Sequence, residues 1–260
     1  YVVEPDYWQL PDSSARHWRF IGQSLAELNQ ALTNLGQGLL MEHGNILDVL
    51  NRLAKHFNIE GLYSHQESGN LWTYQRDTDV TLWCIKNKIK WHEHEAFGVF
   101  RRFNNRDYWS YHWEKYMALE KSIAPIGLRK INTLAINPQL AVTSSEFVNK
   151  LPILDLKMLE SDENNNLQNG GRSQALACFN SFINERGKQY SFRMSSPLTA
   201  FKSCSRLSPH ITFGTVSLRE IVQKLRKHSK KPELNTTWKQ SLGSFNSRLH
   251  WHLSLIPLST

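Results

Sequence analysis

Short apolar runs alternate with longer helical patterns along about the first 100 residues, and this alternation limits the possible folds more than any other feature. The runs typical of strands lie at residues 2–3, 38–41, 61–64 and 89–92. Apolar side chains at helical spacing fill the segments between them, at residues 20–35, 46–57 and 72–86. Strands that alternate with helices predict βαβ units. We therefore expect an α/β domain with a doubly wound parallel sheet at the amino-terminal end.

The remainder of the chain predicts a domain made only of helices. Aromatic side chains are concentrated at residues 104–118, and the pattern then becomes irregular, with a polar run at 159–166 and two glycines, Gly170 and Gly171, that we expect in an exposed loop. From residue 173 the pattern is helical, and Ser217 with Glu220 has the form of a capping box. We divide the chain into an α/β domain at 1–118, a connector at 119–172 and an all-α domain at 173–260.

Length and composition indicate a globular protein. The chain has 260 residues, of which 40% are hydrophobic, enough for one large or two ordinary cores. No apolar run approaches the roughly 20 residues that cross a bilayer, and no secretory signal is recognisable. The three cysteines, Cys84, Cys178 and Cys204, are too widely spaced for a metal signature or a disulfide framework. This usage suits a reducing compartment, and we expect a cytoplasmic protein.

Charge is divided unequally along the chain. Residues 1–170 carry 17 Lys and Arg against 20 Asp and Glu, whereas residues 171–260 carry 14 against 3. A basic surface of this kind favours a nucleic-acid partner. The alternative is a solvated basic surface without a partner, above all at residues 224–231.

Residues 203–211 place hydroxyl groups, one guanidinium and the start of a helix within a few positions. Ser208 is a favourable N-cap and Pro209 suits the first helical position. Backbone N–H groups and the positive end of the helix would then face outward beside Arg206. The segment therefore predicts an anion site, and a serine-rich turn before an ordinary helix is the alternative.

Several segments around this motif resemble the flavin-binding domain of the cryptochrome/photolyase family. They are the run Tyr-Ser-Phe-Arg at 190–193, the lead-in at 195–201, the motif at 203–211 and the run at 244–252. In that family a tyrosine and a Ser-Arg-Leu-Ser loop hold the phosphates of FAD. Residues 67–74, 76–77 and 98–102 are similar to the antenna-type domain of the same family. The resemblance thus extends over nearly the whole chain.

The resemblance implies FAD as cofactor. It assigns FAD binding to Tyr190, Cys204, Ser205, Arg206, Leu207, Ser208, Arg248 and His252. Cys204 stands where many relatives have threonine, which weakens one hydroxyl contact. Trp251 aligns with the tryptophan that stacks on the lesion in DNA-repairing relatives, and an ordinary core tryptophan is the alternative. A second, antenna chromophore is a further implication, and its identity is open.

Arg248 departs from the family pattern. Enzymes that repair cyclobutane dimers generally carry a glutamate three residues before the tryptophan, where it hydrogen-bonds the flipped lesion. An arginine cannot accept those hydrogen bonds, so repair by that geometry is not expected. Arg248 is instead a candidate to pair with a phosphate of DNA or of the flavin. A surface arginine without a partner is the alternative.

The function that the resemblance implies is light-driven electron transfer from reduced FAD to a pyrimidine lesion in DNA, the reaction of a photolyase-type lyase. Damaged duplex DNA would bind the basic region at 171–260, and we expect a monomer. One alternative is a cryptochrome-like blue-light photoreceptor without repair activity. Another is a truncated, non-catalytic DNA-binding remnant. Residues 1–5 already have a strand pattern, and family members continue well beyond residue 260, so we expect a chain incomplete at both ends and without its first strand.

The run at residues 92–95, His-Glu-His-Glu, is the nearest approach to a metal-ligand pattern. No third group of ligands is evident elsewhere in the sequence, so a solvated segment is favoured over a metal site. We expect no metal.

Overall fold

The computed structural model describes residues 1–67, 69–95, 108–131 and 167–254, and for residues 251–254 it describes the backbone alone. The chain divides into two compact units. One comprises Tyr1–His94 with Ala124–Gly171, and the other comprises Glu95–Ile123 with Arg172–Thr260. We call them the α/β unit and the helical unit.

The α/β unit alternates short strands with helices, as predicted. Its elements are β1 (Val2–Val3), α1 (Pro5–Trp8), α2 (Ala15–Asn34), β2 (Glu42–His43), α3 (Ile46–His56), β3 (Gly61–His65), α4 (Leu71–Asn87) and β4 (Lys90–His94). β1 pairs in parallel with β2, and β3 pairs in parallel with β4. Within the described residues these pairs are two separate two-stranded sheets, not the one doubly wound sheet that we expected. β1 and β2 have two residues each, so they have few backbone N–H and C=O groups with which to pair with a further strand.

The second strand lies later in the chain than predicted. Met41 is buried, but the ladder with β1 is made by the residues that follow it. The backbone N–H of Glu42 donates to the carbonyl of Tyr1 at 2.9 Å, and that of Gly44 donates to Val3 at 3.0 Å. The apolar run at 38–41 therefore leads into the strand and does not form it.

Capping residues define the two helices that flank β3. The Asn45 side chain accepts a hydrogen bond from the backbone of Leu47 at 2.8 Å, and the Asn70 side chain accepts one from Thr73 at 3.1 Å. Helix α4 ends at Lys88 in a left-handed conformation, with φ of 57°. The inner faces of α3 and α4 meet in a small core of buried Leu50, Val80, Trp83 and Cys84, against which Leu62 and Trp91 of the strands pack.

Arg76 on α4 links the ends of β1 and β3. Its guanidinium lies 3.3 Å from the carboxylate of Glu4, which follows β1, and 3.7 Å from that of Glu67, which follows β3. Asp77 is a third partner at 3.1 Å. Burial raises the pKa of Glu4, while Arg76 and a hydrogen bond from the Ile46 backbone act in the opposite direction. Arg76 thus places a positive charge beside the carboxylates of Glu4 and Asp77, which have little contact with solvent.

Gly170 and Gly171 are buried against α2, so the prediction of an exposed loop is wrong at this point. The backbone N–H of Gly170 donates to Gln23 Oε1 at 2.7 Å, and that of Gly171 donates to Ser24 Oγ at 2.9 Å. A Cβ atom at Gly170 would collide with the backbone carbonyl of Phe20, and Gly171 has φ of +105°. Both positions need glycine because the backbone itself packs on the helix.

The helical unit contains no strand among its described residues, as predicted. Its helices are α5 (Trp109–Ala118), α6 (Arg172–Asn184), α7 (Tyr190–Arg193), α8 (Pro197–Ser203), α9 (Ser208–Thr212), α10 (Leu218–Ser229) and α11 (Thr236–Ser254), with a 3-10 turn at Arg186–Gln189. Ser217 is the N-cap of α10 as predicted, but its side chain makes no capping hydrogen bond. Glu220 instead pairs with Arg172 at 2.9 Å. No described helix combines the length and the apolar character needed to cross a membrane.

One core holds the helical unit together. Its fully buried members include Trp113 and Met117 of α5, together with Phe179 and Phe182 of α6 and Leu242 of α11. Helix α5 therefore belongs to the helical unit, whereas the boundary drawn from the sequence at residue 118 assigns it to the α/β domain. The sequence pattern did not assign Trp109, Trp113 and Tyr116 to this core, because most of the core residues lie more than 50 positions further along the chain.

Candidate functional site

A cavity of about 110 Å³ lies within the helical unit. It is lined by Tyr190, Cys204, Ser205, Leu207, Ser208, Ile211, Leu218, Phe245, Arg248 and Leu249. Six of the eight residues assigned to FAD binding are in this set: Tyr190, Cys204, Ser205, Leu207, Ser208 and Arg248. They come from α7, from the segment that runs from the end of α8 to the first residue of α9, and from α11. Three separate parts of the chain thus meet at one pocket.

Tyr190 is fixed by an aromatic cluster. Its ring centroid lies 5.6 Å from those of Phe182 and Phe245, both in edge-on geometry, and Phe182 and Phe245 are themselves 4.6 Å apart. Burial raises the pKa of the Tyr190 phenol, and a hydrogen bond with Arg248 acts in the opposite direction. The phenol is therefore neutral at pH 7 and holds Arg248 at the wall of the pocket.

Two serines tie the start of α7 to α11. The Ser191 and Ser241 hydroxyl oxygens are 3.0 Å apart, and Ser241 Oγ also donates to the carbonyl of Lys188 at 3.1 Å. Ser241 is fully buried, so these hydrogen bonds are made away from water. They keep Tyr190 at a constant position relative to Arg248, which lies on α11.

Arg186 holds the segment between α8 and α9, and the sequence analysis missed it. Its guanidinium donates to the carbonyls of Cys204 and Cys178, the latter at 3.0 Å, and to the carbonyl of Ser205 at 3.3 Å. Its Nε donates to Ser181 Oγ at 2.9 Å. No local motif marks Arg186, because its role depends on carbonyls that are distant in sequence.

Cys204 is a neutral thiol at the pocket wall. Burial raises its pKa, and the guanidinium groups of Arg186 and Arg248 act in the opposite direction. Cys178 lies behind it, with Sγ 3.1 Å from the carbonyl of Ser205, and burial raises the pKa of this thiol too. Both sulfur atoms therefore behave as weak hydrogen-bonding groups at neutral pH.

Arg206 is not among the residues that line the cavity. Its backbone is in the left-handed region, with φ of 59°, and its guanidinium lies over the ring of Phe201 at 3.9 Å. This stacking is a cation–π contact, so the Phe201 ring is one partner of the Arg206 charge. Ser205 and Leu207, on either side, do face the cavity.

The predicted N-cap at Ser208 is wrong. Ser208 is itself the first residue of α9, Leu207 occupies the cap position, and no side chain caps the helix. Leu207 is almost fully buried, so the core determines where the turn ends and the helix begins. Helix α9 has five residues, which is too short to support the anion site that we expected from its dipole.

The side chains of Trp251 and His252 lie outside the described residues, although the backbone of α11 continues through both. The segment at 98–102 also lies outside them. His92 and His94 are on β4, and His94 faces His65 across the ladder, with ring centroids 6.3 Å apart. Among the described residues no three His, Cys, Asp or Glu side chains are gathered closely enough to hold a metal ion.

Comparisons with known proteins show similarity to one family in sequence and in fold. The family model for DNA photolyase matches residues 1–102. No curated protein matches the chain significantly. Among solved structures, the cryptochrome of Synechocystis sp. PCC6803 is similar with a TM-score of 0.71 at 18% identity, and the match covers 97% of this chain and 53% of that one.

Two photolyase structures are also similar. A bacterial class III photolyase from Agrobacterium tumefaciens has a TM-score of 0.71 at 14% identity, with 98% of this chain and 52% of that chain covered. An archaeal photolyase from Sulfolobus tokodaii, solved with two FAD molecules, has a TM-score of 0.60 at 20% identity, with 96% and 50% covered. The chain spans about half the length of these structures. The match to the DNA photolyase model over residues 1–102 and the fold shared with these cryptochrome and photolyase structures are the chain's similarities to this family.

Proposed function

We propose that this chain is a photolyase/cryptochrome-like flavoprotein that binds FAD through its phosphates at the pocket of the helical unit. One observation carries the proposal. Tyr190, four residues of the 204–208 segment (all but Arg206) and Arg248 come from separate parts of the chain, and they line one cavity in a chain with the fold of cryptochrome and photolyase structures. If residues 203–211 were only a serine-rich turn before a helix, there would be no reason for Tyr190 and Arg248 to lie beside them.

The chemistry of the pocket fits the phosphate part of the cofactor. Arg248 is exposed, so its guanidinium is accessible to an anion, and the hydroxyls of Ser205 and Ser208 add neutral donors. Leu207 and Phe245 form apolar parts of the wall beside these groups. A cavity of about 110 Å³ is smaller than the roughly 300–1,000 Å³ of complete ligand pockets. The pocket therefore suits one portion of a large nucleotide.

When bound, FAD supplies one-electron chemistry that light can drive, and the protein supplies position and electrostatics. In this chain Arg248 would pair with a phosphate of the cofactor, and Tyr190 holds Arg248 through its hydrogen bond. Arg186 keeps the Cys204 and Ser205 backbone in the shape of the pocket wall. The proposed reaction is electron transfer from reduced FAD to a pyrimidine lesion in DNA.

The basic character of the helical unit supports DNA as the partner. Lys227 and Lys230 are exposed on and just after α10. Arg226, in the same run, is engaged by both carboxylate oxygens of Glu114 at 2.7 and 2.8 Å, so it contributes less to an anion-binding surface. Binding to DNA through such lysines weakens steeply as salt rises, since phosphate contacts release counterions.

One feature favours the second candidate, a cryptochrome-like photoreceptor. Arg248 stands where dimer-repairing relatives carry a glutamate, and it is hydrogen-bonded to Tyr190. A guanidinium has no acceptor for the lesion. A photoreceptor needs the flavin and its light response but not lesion chemistry.

Illumination of the FAD-loaded chain with damaged oligonucleotides tests the two candidates. Under blue light and reducing conditions, a photolyase restores the pyrimidines of an oligonucleotide that carries a lesion, which chromatography resolves. Flavin photoreduction without restored pyrimidines, for both cyclobutane and 6-4 lesions, supports the photoreceptor. A chain that takes up no FAD contradicts both.

A further inference from the structure

Helix α4 is apolar on two opposite faces. Its inner face provides Val80, Trp83 and Cys84 to the core of the α/β unit. The opposite face carries four large apolar side chains in solvent, with exposed fractions of 81% for Leu71, 53% for Tyr74, 61% for Leu82 and 69% for Ile85. We call the row Leu71, Tyr74, Thr78, Leu82 and Ile85 the outer stripe.

The outer stripe is narrow and continuous. At 100° per residue its members fall within an arc of about 80°, and they extend over about 21 Å of helix. The exposed parts of the four apolar side chains amount to roughly 500 Å². The largest apolar patch on a typical monomer covers about 300–600 Å² and is often functional, so the outer stripe is comparable to such a patch.

The stripe is self-complementary. The intervals between its members are three, four, four and three residues, so the pattern is the same in both directions from Thr78. If a second copy of α4 lies antiparallel, with a two-fold axis at Thr78, Leu71 meets Ile85 of the second copy and Tyr74 meets Leu82 of the second copy. Every exposed apolar side chain of the stripe then has an apolar partner, as an isologous interface requires.

We propose that the outer stripe is a self-association surface, through which two copies of this chain pair by antiparallel contact of their α4 helices. This inference is independent of the proposed flavin function, and it replaces the monomer expected from the sequence. The two copies bury about 1,000 Å² in total, at the lower limit for specific interfaces. The dimer is accordingly weak, with Kd in about the 10–100 μM range.

Asp79 gives the pairing a recognisable electrostatic signature. It follows Thr78 at one side of the stripe, where the Gln75 side chain donates to its Oδ1 at 3.0 Å. The two-fold axis at Thr78 brings the two copies of Asp79 to the same side of the interface, and like charges repel. Asp79→Asn therefore strengthens the dimer, and higher salt has the same effect on the unchanged chain. If a different protein bound the stripe, repulsion between two copies of Asp79 would be absent, and neither Asp79→Asn nor higher salt would be expected to strengthen binding for this reason.

Sedimentation equilibrium over a range of chain concentrations tests the proposal. Leu82→Glu puts a charge into the interface and raises Kd at least about tenfold. Leu28→Glu is the matched control, because Leu28 is an exposed leucine on α2 with 45% of its surface in solvent and lies outside the stripe. A chain that stays monomeric at millimolar concentration, or a control that weakens the dimer equally, overturns the proposal.

Cross-linking tests the register. Only a residue on the two-fold axis meets its own counterpart, so Thr78→Cys forms an intermolecular disulfide under mild oxidation. Lys86→Cys, exposed on the same helix, forms none above the background of the unchanged chain, which has its own cysteines. Non-reducing electrophoresis separates the products. Equal cross-linking of the two variants, or none with Thr78→Cys, rules out this pairing.

Discussion

At the scale of single residues, Arg186 is the group on which the shape of the pocket most depends. Three backbone carbonyls, from Cys178, Cys204 and Ser205, share its guanidinium. The carbonyls of Cys204 and Ser205 lie between α8 and α9, outside any helix or strand, and a charged donor satisfies them there. The Arg206 backbone, in its left-handed conformation, follows directly on this segment, so the same contacts support a conformation that is unfavourable for an arginine.

Arg186→Lys tests this role. A lysine cannot reach the same carbonyls with a planar fork, so we expect a loss of about 2 kcal/mol in the free energy of unfolding and weaker FAD binding. Urea denaturation followed by circular dichroism measures the first effect, and flavin fluorescence quenching measures the second. Arg193→Lys, at an exposed position on α7, is the control and changes neither. Unchanged FAD affinity in Arg186→Lys would show that the carbonyl contacts do not shape the site.

His228 predicts a pH dependence of stability. Burial lowers its pKa, Lys231 and Lys224 act in the same direction, and Glu233 acts in the opposite direction. Its Nε2 is buried without a hydrogen-bond partner among the described atoms. Below the ordinary histidine pKa of about 6.5, the unfolded chain binds a proton that the folded chain does not, so stability falls as pH decreases from 7 to 5.

The comparison of the wild-type chain with His228→Leu isolates this residue. The variant has a shallower loss of urea midpoint between pH 7 and pH 5, because leucine does not titrate. A residual slope is expected from His210, which is buried and whose pKa burial also lowers. Identical slopes in the two proteins would mean that the pKa of His228 is the same in the folded and the unfolded chain, contrary to this account.

At the scale of elements, the contact of Gly170 with α2 holds the segment at residues 167–171 against the α/β unit. The backbone of Gly170 lies against the carbonyl of Phe20, and hydrogen bonds from Gly170 and Gly171 to Gln23 and Ser24 hold it there. The segment packs as backbone on backbone, which only glycine permits.

Gly170→Ala is therefore expected to destabilise the chain by about 1–3 kcal/mol, because the new methyl group displaces the segment from α2. Gly243→Ala is the matched control, since a Cβ there meets nothing within 4 Å and the residue lies inside α11. The control gains about 0.5–1 kcal/mol from helix propensity. Urea denaturation followed by tryptophan fluorescence gives both values. Equal effects of the two substitutions would contradict the close contact.

Elements were predictable where one local pattern carried the information. The apolar runs at 61–64 and 89–92 indicated β3 and β4, since each lies directly against helical segments of clear period. The strand at β2 was misplaced because Met41 is buried without belonging to the ladder. Ser208 was misassigned as a cap because the buried neighbour Leu207 ends the turn, and burial by distant residues has no local signal.

At the scale of the whole molecule, the sequence predicted several of the residues that line the site. It did not predict the residues that hold them in position. Tyr190 and Ser205 were identified by resemblance to a family motif, and the fold brings them to one pocket. Arg186, Ser241 and Phe182 were not identified, because each acts through contacts with segments far along the chain. The comparisons show a shared fold and a match of the family model over residues 1–102, while the pocket lies in the helical unit. The central claim of cofactor binding is therefore carried by the pocket itself.

The most direct test of that claim is the flavin content of the purified chain after incubation with FAD and desalting, measured by absorbance near 450 nm for the unchanged protein, Arg248→Gln and the exposed control Arg193→Gln. We predict retained flavin in the unchanged protein and the control, and at least about a tenfold weaker affinity in Arg248→Gln, since a charged contact to phosphate is lost. A colourless unchanged protein, or equal retention by Arg248→Gln, would contradict the assignment of this pocket to FAD.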